Sequence, residues 1–569
     1  MNRNIDGDGK SQYGSYNYQH NWQTKGTQQY TSNSFNISAN MGHRDGWNSG
    51  KTSTETFFPN QEHTFGVKDT YRYKHNLNPR LEAKLFAYTD STNTIDVKVK
   101  ASYEKSRKSY EEKSASYGYQ PDQFAYHSLK EALDAKPGDA LYDRLITRNR
   151  NYESSEQQKR GLNISYEWQH FIGKKGSFTL QGYTNLSGTD EDTHTNRNVG
   201  YLREQRNEKL WQYYDRSDHD METLLGASLE HWLGKKVYFN IYDNVSYQRT
   251  RIARDFFSDT DERNVANGTP TTADPANTMR NLTHKWKNEL AVKSTITPVK
   301  ALMIMPKFRW NVNREKTDYR YGTLDTTAVR TSHSYEPSIF LKWKMSRVRN
   351  MDIAFAYNTS VPELVSTLGY RNTIDPLQIY TGNPLLRNSH SHTTTYNYHR
   401  MWLRKQIVLG VSASYNKDIN PVVTLYSYNS ATGVYESKPT NVKGGDTWKF
   451  GFNYDQGIGF YFRLMNKFAL ETAKSYGFLT IIDNNAADAQ PELNKQKRLG
   501  IDNNFELSYE TEKLQLSLFD RLEWNRYRYN DTSYNTSPLF NSVGVSANLK
   551  IASLEFFVQL SDDYRSGYA

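Results

Sequence analysis

Cysteine is absent from all 569 residues, which excludes disulfide frameworks, thiolate metal sites and cysteine nucleophiles. No apolar run reaches the roughly 18 residues that a membrane-crossing helix needs. Dense basic tracts are missing too. The 72 Lys+Arg and 62 Asp+Glu are scattered along the chain, and a net charge of +10 without a Lys/Arg run excludes the nucleic-acid reading. That balance suits a surface beside anionic lipid. Met1-Asn2-Arg3-Asn4 leads into polar residues, with none of the apolar segment of an export signal.

Aromatic residues are abundant. Tyr 43, Phe 25 and Trp 11 make up 14% of the chain, too many for a disordered polar polymer. Bulky rings pack well on a pleated sheet, and they also mark the interfaces of a membrane.

The dominant pattern is alternation with period two, repeated from end to end. Phe35, Ile37, Ala39 and Met41 alternate with Asn36, Ser38 and Asn40. Ile95, Val97, Val99, Ala101 and Tyr103 alternate with Asp96, Lys98, Lys100 and Ser102. Further rows run through Leu81–Ala87, Leu162–Trp168, Leu225–Leu229, Leu302–Val312 and Leu514–Trp524, the last interrupted by Asp520. Successive strand side chains point to opposite faces, so each row has one apolar and one polar face. Rows of about 9–11 residues match a tilted bilayer-crossing strand better than a soluble one. Tyr103, Trp168, Trp310 and Trp524 lie near row ends, where an aromatic girdle belongs.

Connectors come in two lengths. Gly173–Gly176, Gly234–Lys236 and Glu510–Lys513 read as tight turns, whereas Ser258–Asn281 and Asn484–Lys497 read as long polar loops. One loop carries a helix signal at 128–136, with Ser128 and Glu131 at capping-box spacing before Pro137-Gly138. The expected fold is all-β: a large antiparallel transmembrane β-barrel of the outer membrane, one domain over 1–569 with roughly 16–20 strands. Charged residues within rows, such as Lys98, Lys100 and Glu104, are expected to face the lumen, because a lysine or arginine facing mid-bilayer lipid costs about 2–4 kcal/mol.

No catalytic constellation stands out, so no enzyme is expected, and no catalytic, cofactor-binding or metal residue is assigned. Thr189–His194 and Ser258–Glu262 are acidic stretches that match no calcium loop and read as solvated outer loops. His390-Ser391-His392 has no third ligand nearby in sequence and reads as a turn pair. Gly444-Gly445 reads as a hairpin, since no Lys-Ser/Thr follows it.

From about Ser338 the residues resemble a known family. Val361-Pro362-Glu363-Leu364, Asp375-Pro376-Leu377-Gln378-Ile379-Tyr380 and Thr381-Gly382-Asn383-Pro384-Leu385-Leu386 resemble the TonB-dependent receptor barrels, specifically the outer-membrane protein β-barrel family. There, a D-P-L loop and a G-N-P-x-L turn precede the next alternating strand, here Thr393–Tyr398. The family usually continues with Lys-Pro-Glu, where this chain has Arg387-Asn388-Ser389. The resemblance implies a signal peptide and a lumen-filling plug ahead of the barrel, neither of which is visible in this chain. Phe556, Val558 and Leu560 run into Asp562–Ala569 without a terminal aromatic strand end, so truncation at both ends is expected. The implied partners are outer-membrane lipid and lipopolysaccharide, a nutrient ligand at the outer loops, and a TonB-type energy-coupling protein acting through the missing plug. No cofactor and no nucleic acid are implied. Two rivals share the alternation: a plugless porin-like or structural barrel, and a soluble surface β-sheet binding protein.

Overall fold

The computed structural model describes residues 3–567 except 26–29, 57–62, 121–123, 430–433, 479–480, 483–492, 531, 533–534 and 552–553. A single 21-stranded sheet dominates it. In chain order its strands are Arg3–Lys25, Tyr30–Thr56, His63–Leu77, Arg80–Tyr88, Asn93–Tyr119, Leu145–Ile172, Gly176–Tyr201, Arg206–Leu233, Val237–Asp259, Met279–Val299 and Leu302–Tyr321. Leu324–Ser346, Arg349–Ser360, Ser389–Trp402, Ile407–Ile419, Asp446–Ile458, Phe462–Phe478, Leu493–Glu510, Leu514–Arg528, Leu539–Ile551 and Leu554–Ser566 follow. Apart from His63–Leu77 and Arg80–Tyr88, which do not pair with each other, each pairs antiparallel with its chain neighbours. His63–Leu77 and Arg80–Tyr88 share one place in that order, since both lie between Tyr30–Thr56 and Asn93–Tyr119, with Asn78-Pro79 as the break. Among the described residues no ladder joins the first strand to the last.

Register sorts the two faces. Across Val237–Asp259, Met279–Val299 and Leu302–Tyr321, Ile241 faces Val292, which faces Phe308, and all three are exposed apolar residues. The same outward parity carries Val245, Leu225, Ile339, Val411, Phe450, Leu518 and Val545. The opposite parity is charged and paired: Lys98 Nζ lies 2.7 Å from Glu82, Lys84 3.1 Å from Asp96, and Lys449 3.0 Å from Glu471. Lys98, Lys100 and Glu104 thus share the inward face, as their spacing requires. Polar residues on the apolar face come in bonded pairs. Asn288 donates to Asp243 at 2.6 Å, Asn466 to Asn503 at 3.0 Å and Asn541 to Asp520 at 2.8 Å. An unpaired polar group there would cost several kcal/mol, roughly, in hydrocarbon.

Outward aromatics mark two levels. Trp168 with Phe178, Phe239, Trp343, Trp402 and Phe462 with Tyr509 lie near one end of the strands. Further along, Tyr247 packs tilted against Trp286 at 4.6 Å, Tyr415 tilted against Trp448 at 4.4 Å, and Trp310 stacks on Tyr335 at 6.4 Å. Eight residues separate Phe239 from Tyr247 and Trp343 from Tyr335. At about 3.3 Å per residue that is about 26 Å of strand, or about 20 Å of height at the ~40° tilt of such strands, on the scale of the ~25 Å apolar band of an outer-membrane barrel.

Turns at the first end are short: 89–92, 173–175, 234–236, 300–301, 347–348, 403–406, 459–461 and 511–513. The other end carries the long connections 260–278, 361–388 and 420–445, which makes it the outer end. Of the stretch 484–497, residues 484–492 lie outside the described residues, and Leu493–Lys497 are already strand. Observed strands are longer than the expected 9–11 residues, reaching 28 in Leu145–Ile172 and Arg206–Leu233. The reason is that ladder pairing does not stop where the bilayer stops. Beyond the upper aromatics the wall continues with both faces polar, which erases the alternation that marks a strand in sequence. Thr189–His194 lies in such a wall, inside Gly176–Tyr201, and is not a loop. His390 and His392 likewise sit within Ser389–Trp402, with their rings beside Tyr357 and Phe355, and are not a turn pair.

The helix Leu129–Asp134 is capped by Ser128, whose hydroxyl accepts from Glu131 N while Glu131 accepts from Ser128 N. It lies against the outer surface of the wall, covering Phe65, Val67, Ala115, Tyr117, Tyr119 and Leu145. Arg148 donates to the carbonyl oxygens of Ala132 and Ala135 and so closes its last turn.

Neighbouring residues of opposite parity give a direct check of the facing. Val245→Arg should destabilise the barrel in phospholipid vesicles by about 2–4 kcal/mol, and Ser246→Arg by under about 1 kcal/mol. Urea titration of vesicle-folded protein measures both; equal costs would contradict the assignment.

Candidate functional site at the outer mouth

The outer connections do not splay apart. Arg371–Asp375, Gln378–Thr381, Val434–Asn441, Val422–Asn429 and Ile481–Ile482 form a second, 5-stranded sheet. This sheet is fastened to inward-facing residues of the wall on several sides. Arg197 donates to Asp375 Oδ1 at 2.6 Å, and Gln212 Nε2 to the Ile374 carbonyl at 3.0 Å. Tyr321 donates to Asn372 at 3.1 Å, and Arg330 to the Pro362 carbonyl at 2.6 Å. Tyr435 lies in hydrogen-bonding reach of Thr56 and Thr64, at the outer ends of Tyr30–Thr56 and His63–Leu77. Thr56 and Arg197 lie far from 361–388 and 420–445 in ladder order. Both can meet the loop sheet only because the wall curls round on itself. The loop sheet therefore crosses the lumen mouth.

The D-P-L and G-N-P residues are its joints. Asp375 Oδ1 accepts both Arg197 and the Leu377 amide at 3.0 Å, so one carboxylate shapes its own turn and ties it to the wall. Gly382 has no room for a side chain, because a Cβ would overlap the Leu368 carbonyl oxygen. Asn383 is buried, donates to the Pro439 carbonyl at 2.7 Å and accepts the Leu385 amide at 3.0 Å. Gly444 and Gly445 are not a hairpin tip: they pass against the Asp418 and Lys474 carbonyls, where a Cβ would collide. Tyr370 packs on Tyr319, Tyr321 and Tyr380, and burial pushes its hydroxyl well above the usual phenol range. In the connection 260–278, Arg263 holds the Asp261 carboxyl below its ordinary value, with the Arg263 amide adding to it.

Beneath this cover the wall is polar and underused. Asn151 faces Arg197 across the strand pair and Asn149 lies two residues along. Asn149 Oδ1, Asn151 Oδ1 and Arg197 Nε are buried without a hydrogen-bond partner. Glu112 and Glu153 adjoin them, Glu112 salt-bridged to Lys68. Buried polar atoms are rarely left unpaired, so such a cluster has bonding capacity to spare.

One further grouping escaped the sequence reading, which assigned no metal ligand. His43 Nε2 lies 3.3 Å from His75 Nδ1 and 3.8 Å from Asp45 Oδ1, and His75 Nδ1 lies 2.6 Å from that same oxygen. These three could hold a divalent ion, while the His75–Asp45 hydrogen bond already satisfies two of them. Sequence spacing hides the set because His75 joins only through cross-strand register with Asp45.

A wide antiparallel strand wall, two aromatic levels, a charged lumen and looped-over outer end define an outer-membrane β-barrel protein, not an enzyme. Residues 315–563 match the Outer membrane protein beta-barrel family, which is also the family that the Val361–Leu386 motifs resemble. Among curated proteins none matches the sequence. Solved structures similar to it include the siderophore receptor PirA from Pseudomonas aeruginosa, at 10% identity over 97% of this chain and 80% of that one, TM-score 0.38. The siderophore receptor PiuA from Acinetobacter baumannii is 10% identical over 94% and 81%, TM-score 0.45. The copper transporter OprC is 8% identical over 91% and 74%, TM-score 0.44.

If these joints hold the loop sheet down, loosening them should expose it. Asn383→Ala should weaken the closed arrangement by about 1–3 kcal/mol, since it removes both the donor to the Pro439 carbonyl and the acceptor of the Leu385 amide, each bond worth about 0.5–1.5 kcal/mol net. Arg197→Ala, whose partner Asp375 is partly exposed, should cost about 1 kcal/mol or less. Limited proteolysis of the detergent-solubilised protein should cut within 361–388 faster in both variants, and more so in Asn383→Ala; unchanged rates would show that the joints do not hold the loops.

Proposed function

We propose that this chain is the barrel of an outer-membrane uptake receptor, which takes a scarce nutrient at its outer mouth and passes it inward under TonB-type energisation through a plug. The observation that carries this reading is the covered cluster of Asn149, Asn151 and Arg197. Its unused bonding atoms lie under a loop sheet tied to the same Arg197 through Asp375. A ligand that bonds these atoms competes for the side chain that secures the cover, so binding and rearrangement of the mouth are linked. A passive pore has no need of such an arrangement. The charged lumen below, with Glu82, Lys98 and Lys100 in contact, gives a wet path suited to a polar cargo.

Deleting the gene should produce a growth defect on one limiting nutrient among a panel of metal chelates, vitamins and oligosaccharides. The same defect should follow inactivation of the energy-coupling protein. Restoring Asn151→Leu or Arg197→Leu in place of the wild type should leave the barrel in the outer membrane but lower uptake at least tenfold. Uptake that survives loss of the coupling protein would overturn the receptor reading in favour of a passive barrel.

A further inference from the structure

We infer that the outer surface of the wall carries a metal site, in which His43, Asp45 and His75 hold one divalent transition-metal ion of the zinc class and clip Tyr30–Thr56 to His63–Leu77. His43 and Asp45 are two residues apart on one strand and so share a face. Asp45 faces His75 across the ladder. That face carries the exposed Met41 and Trp47, so all three side chains point away from the lumen. Phe35, Ile37, Ala39 and Met41 run up to His43 on the same face, and Trp47, stacked on Tyr71, follows. The trio therefore caps an apolar row where water and headgroups replace hydrocarbon, each side chain about a third exposed.

The donor atoms converge. His43 Nε2 lies 3.3 Å from His75 Nδ1 and 3.8 Å from Asp45 Oδ1, and the last two are 2.6 Å apart. A tetrahedral ion at about 2.0–2.1 Å from each donor sets donor-to-donor edges of about 3.3–3.4 Å. The imidazole edge already has that length. Both remaining misfits belong to the Asp45 oxygen, which is too near His75 and too far from His43, so one swing of that carboxylate corrects them together. On loading, the hydrogen that His75 donates to Asp45 leaves Nδ1, His75 takes the Nε2–H tautomer, and the ion enters between the donors. Tyr73 donates to the same Oδ1 at 3.3 Å, an outer partner that orients the carboxylate. Two imidazoles and one carboxylate favour borderline ions over calcium or magnesium, which ask for oxygen, and water completes the shell. The cation facing His75, Arg107, is already neutralised by Glu156 at 2.9 Å. Among the described residues no other three His, Cys, Asp or Glu side chains bring their ligand atoms within 4.8 Å of one another. His390 and His392 have the same spacing as His43 and Asp45, but His390 bonds Thr359, so register and not spacing makes the site.

Position gives the ion its role. Ladder pairs between Tyr30–Thr56 and His63–Leu77 run as far as His43 with Leu77, and pairing resumes at Asn40 with Arg80. Asn78-Pro79 lies in the gap, where proline has no N–H to give. A metal bridge from His43 and Asp45 to His75 ties the two strands beside that gap.

The test is calorimetric titration of Zn2+ into the chelator-stripped full chain in detergent micelles. One equivalent should bind, and Co2+ in its place should show visible d–d bands of tetrahedral intensity. His43→Ala and His75→Ala should each weaken binding at least about 100-fold, and Tyr73→Phe about tenfold. His390→Ala/His392→Ala should leave the isotherm unmoved. Zn2+ should also slow amide hydrogen exchange over residues 75–80 in the wild type and not in His75→Ala. Circular dichroism matching the wild type establishes that each variant is folded. Absence of saturable binding, undiminished affinity in His43→Ala and His75→Ala, or an equal loss in His390→Ala/His392→Ala would overturn the site. Binding at these residues that left exchange over 75–80 unchanged would overturn the clip.

Discussion

Hydrocarbon offers nothing to a peptide N–H or C=O, and this single constraint organises the molecule. Within the bilayer each strand must give its backbone bonds to neighbours, so the chain advances by antiparallel steps in which sequence neighbours are also spatial neighbours. Short turns at one end follow directly, because a strand that must pair with its successor needs only a few residues to reverse. Side chains obey the same rule: Asp243, Asn466 and Asp520 face outward among apolar residues, and each is bonded to an asparagine on the next strand. The period-two rows are this constraint written into sequence, one face solvated by lipid and the other by lumenal water.

Above the upper aromatic level the constraint relaxes, and the chain uses the freedom in two ways. Outside the wall, Leu129–Asp134 packs onto Phe65 and Tyr117 as a helix would on any soluble protein. Inside, the loop sheet bridges the mouth through side-chain bonds from Arg197, Gln212, Tyr321 and Arg330. Neither arrangement would survive in lipid, where Arg197 and Asp375 would have to be desolvated together.

How much of this the sequence reveals follows the same division. Rows such as Ile95–Tyr103 and Leu514–Trp524 are legible because a lipid face tolerates only apolar side chains, and the family resemblance was legible in Asp375-Pro376-Leu377 and Gly382-Asn383-Pro384. Where water touches both faces the signal vanishes, so Thr189–His194 reads as a loop although it is paired along its whole length. Gly444-Gly445 has the composition of a turn, yet its glycines are required by passing carbonyls from strands that only the fold brings near. The mouth was least legible of all. Arg197 and Asp375 are 178 residues apart, and no local pattern announces that they meet.

The two sheets differ in what holds them, and this difference bears on how the mouth can work. The wall is secured by continuous backbone ladders, whose opening must break many bonds at once and in lipid leaves each group unsatisfied. The loop sheet is tied down by a few side-chain bonds, each worth about 1 kcal/mol net where water can reach it. Regions joined so sparsely open locally while the remainder stays folded. Because Arg197 presents one nitrogen to Asp375 and leaves Nε buried without a partner, a charge-assisted tie on the cover is also a residue with capacity left for a ligand. A ligand that satisfied Nε and drew the guanidinium away from Asp375 would exchange one charge-assisted bond for another. The mouth could then rearrange at little net cost, while the ladders beneath it remained unchanged.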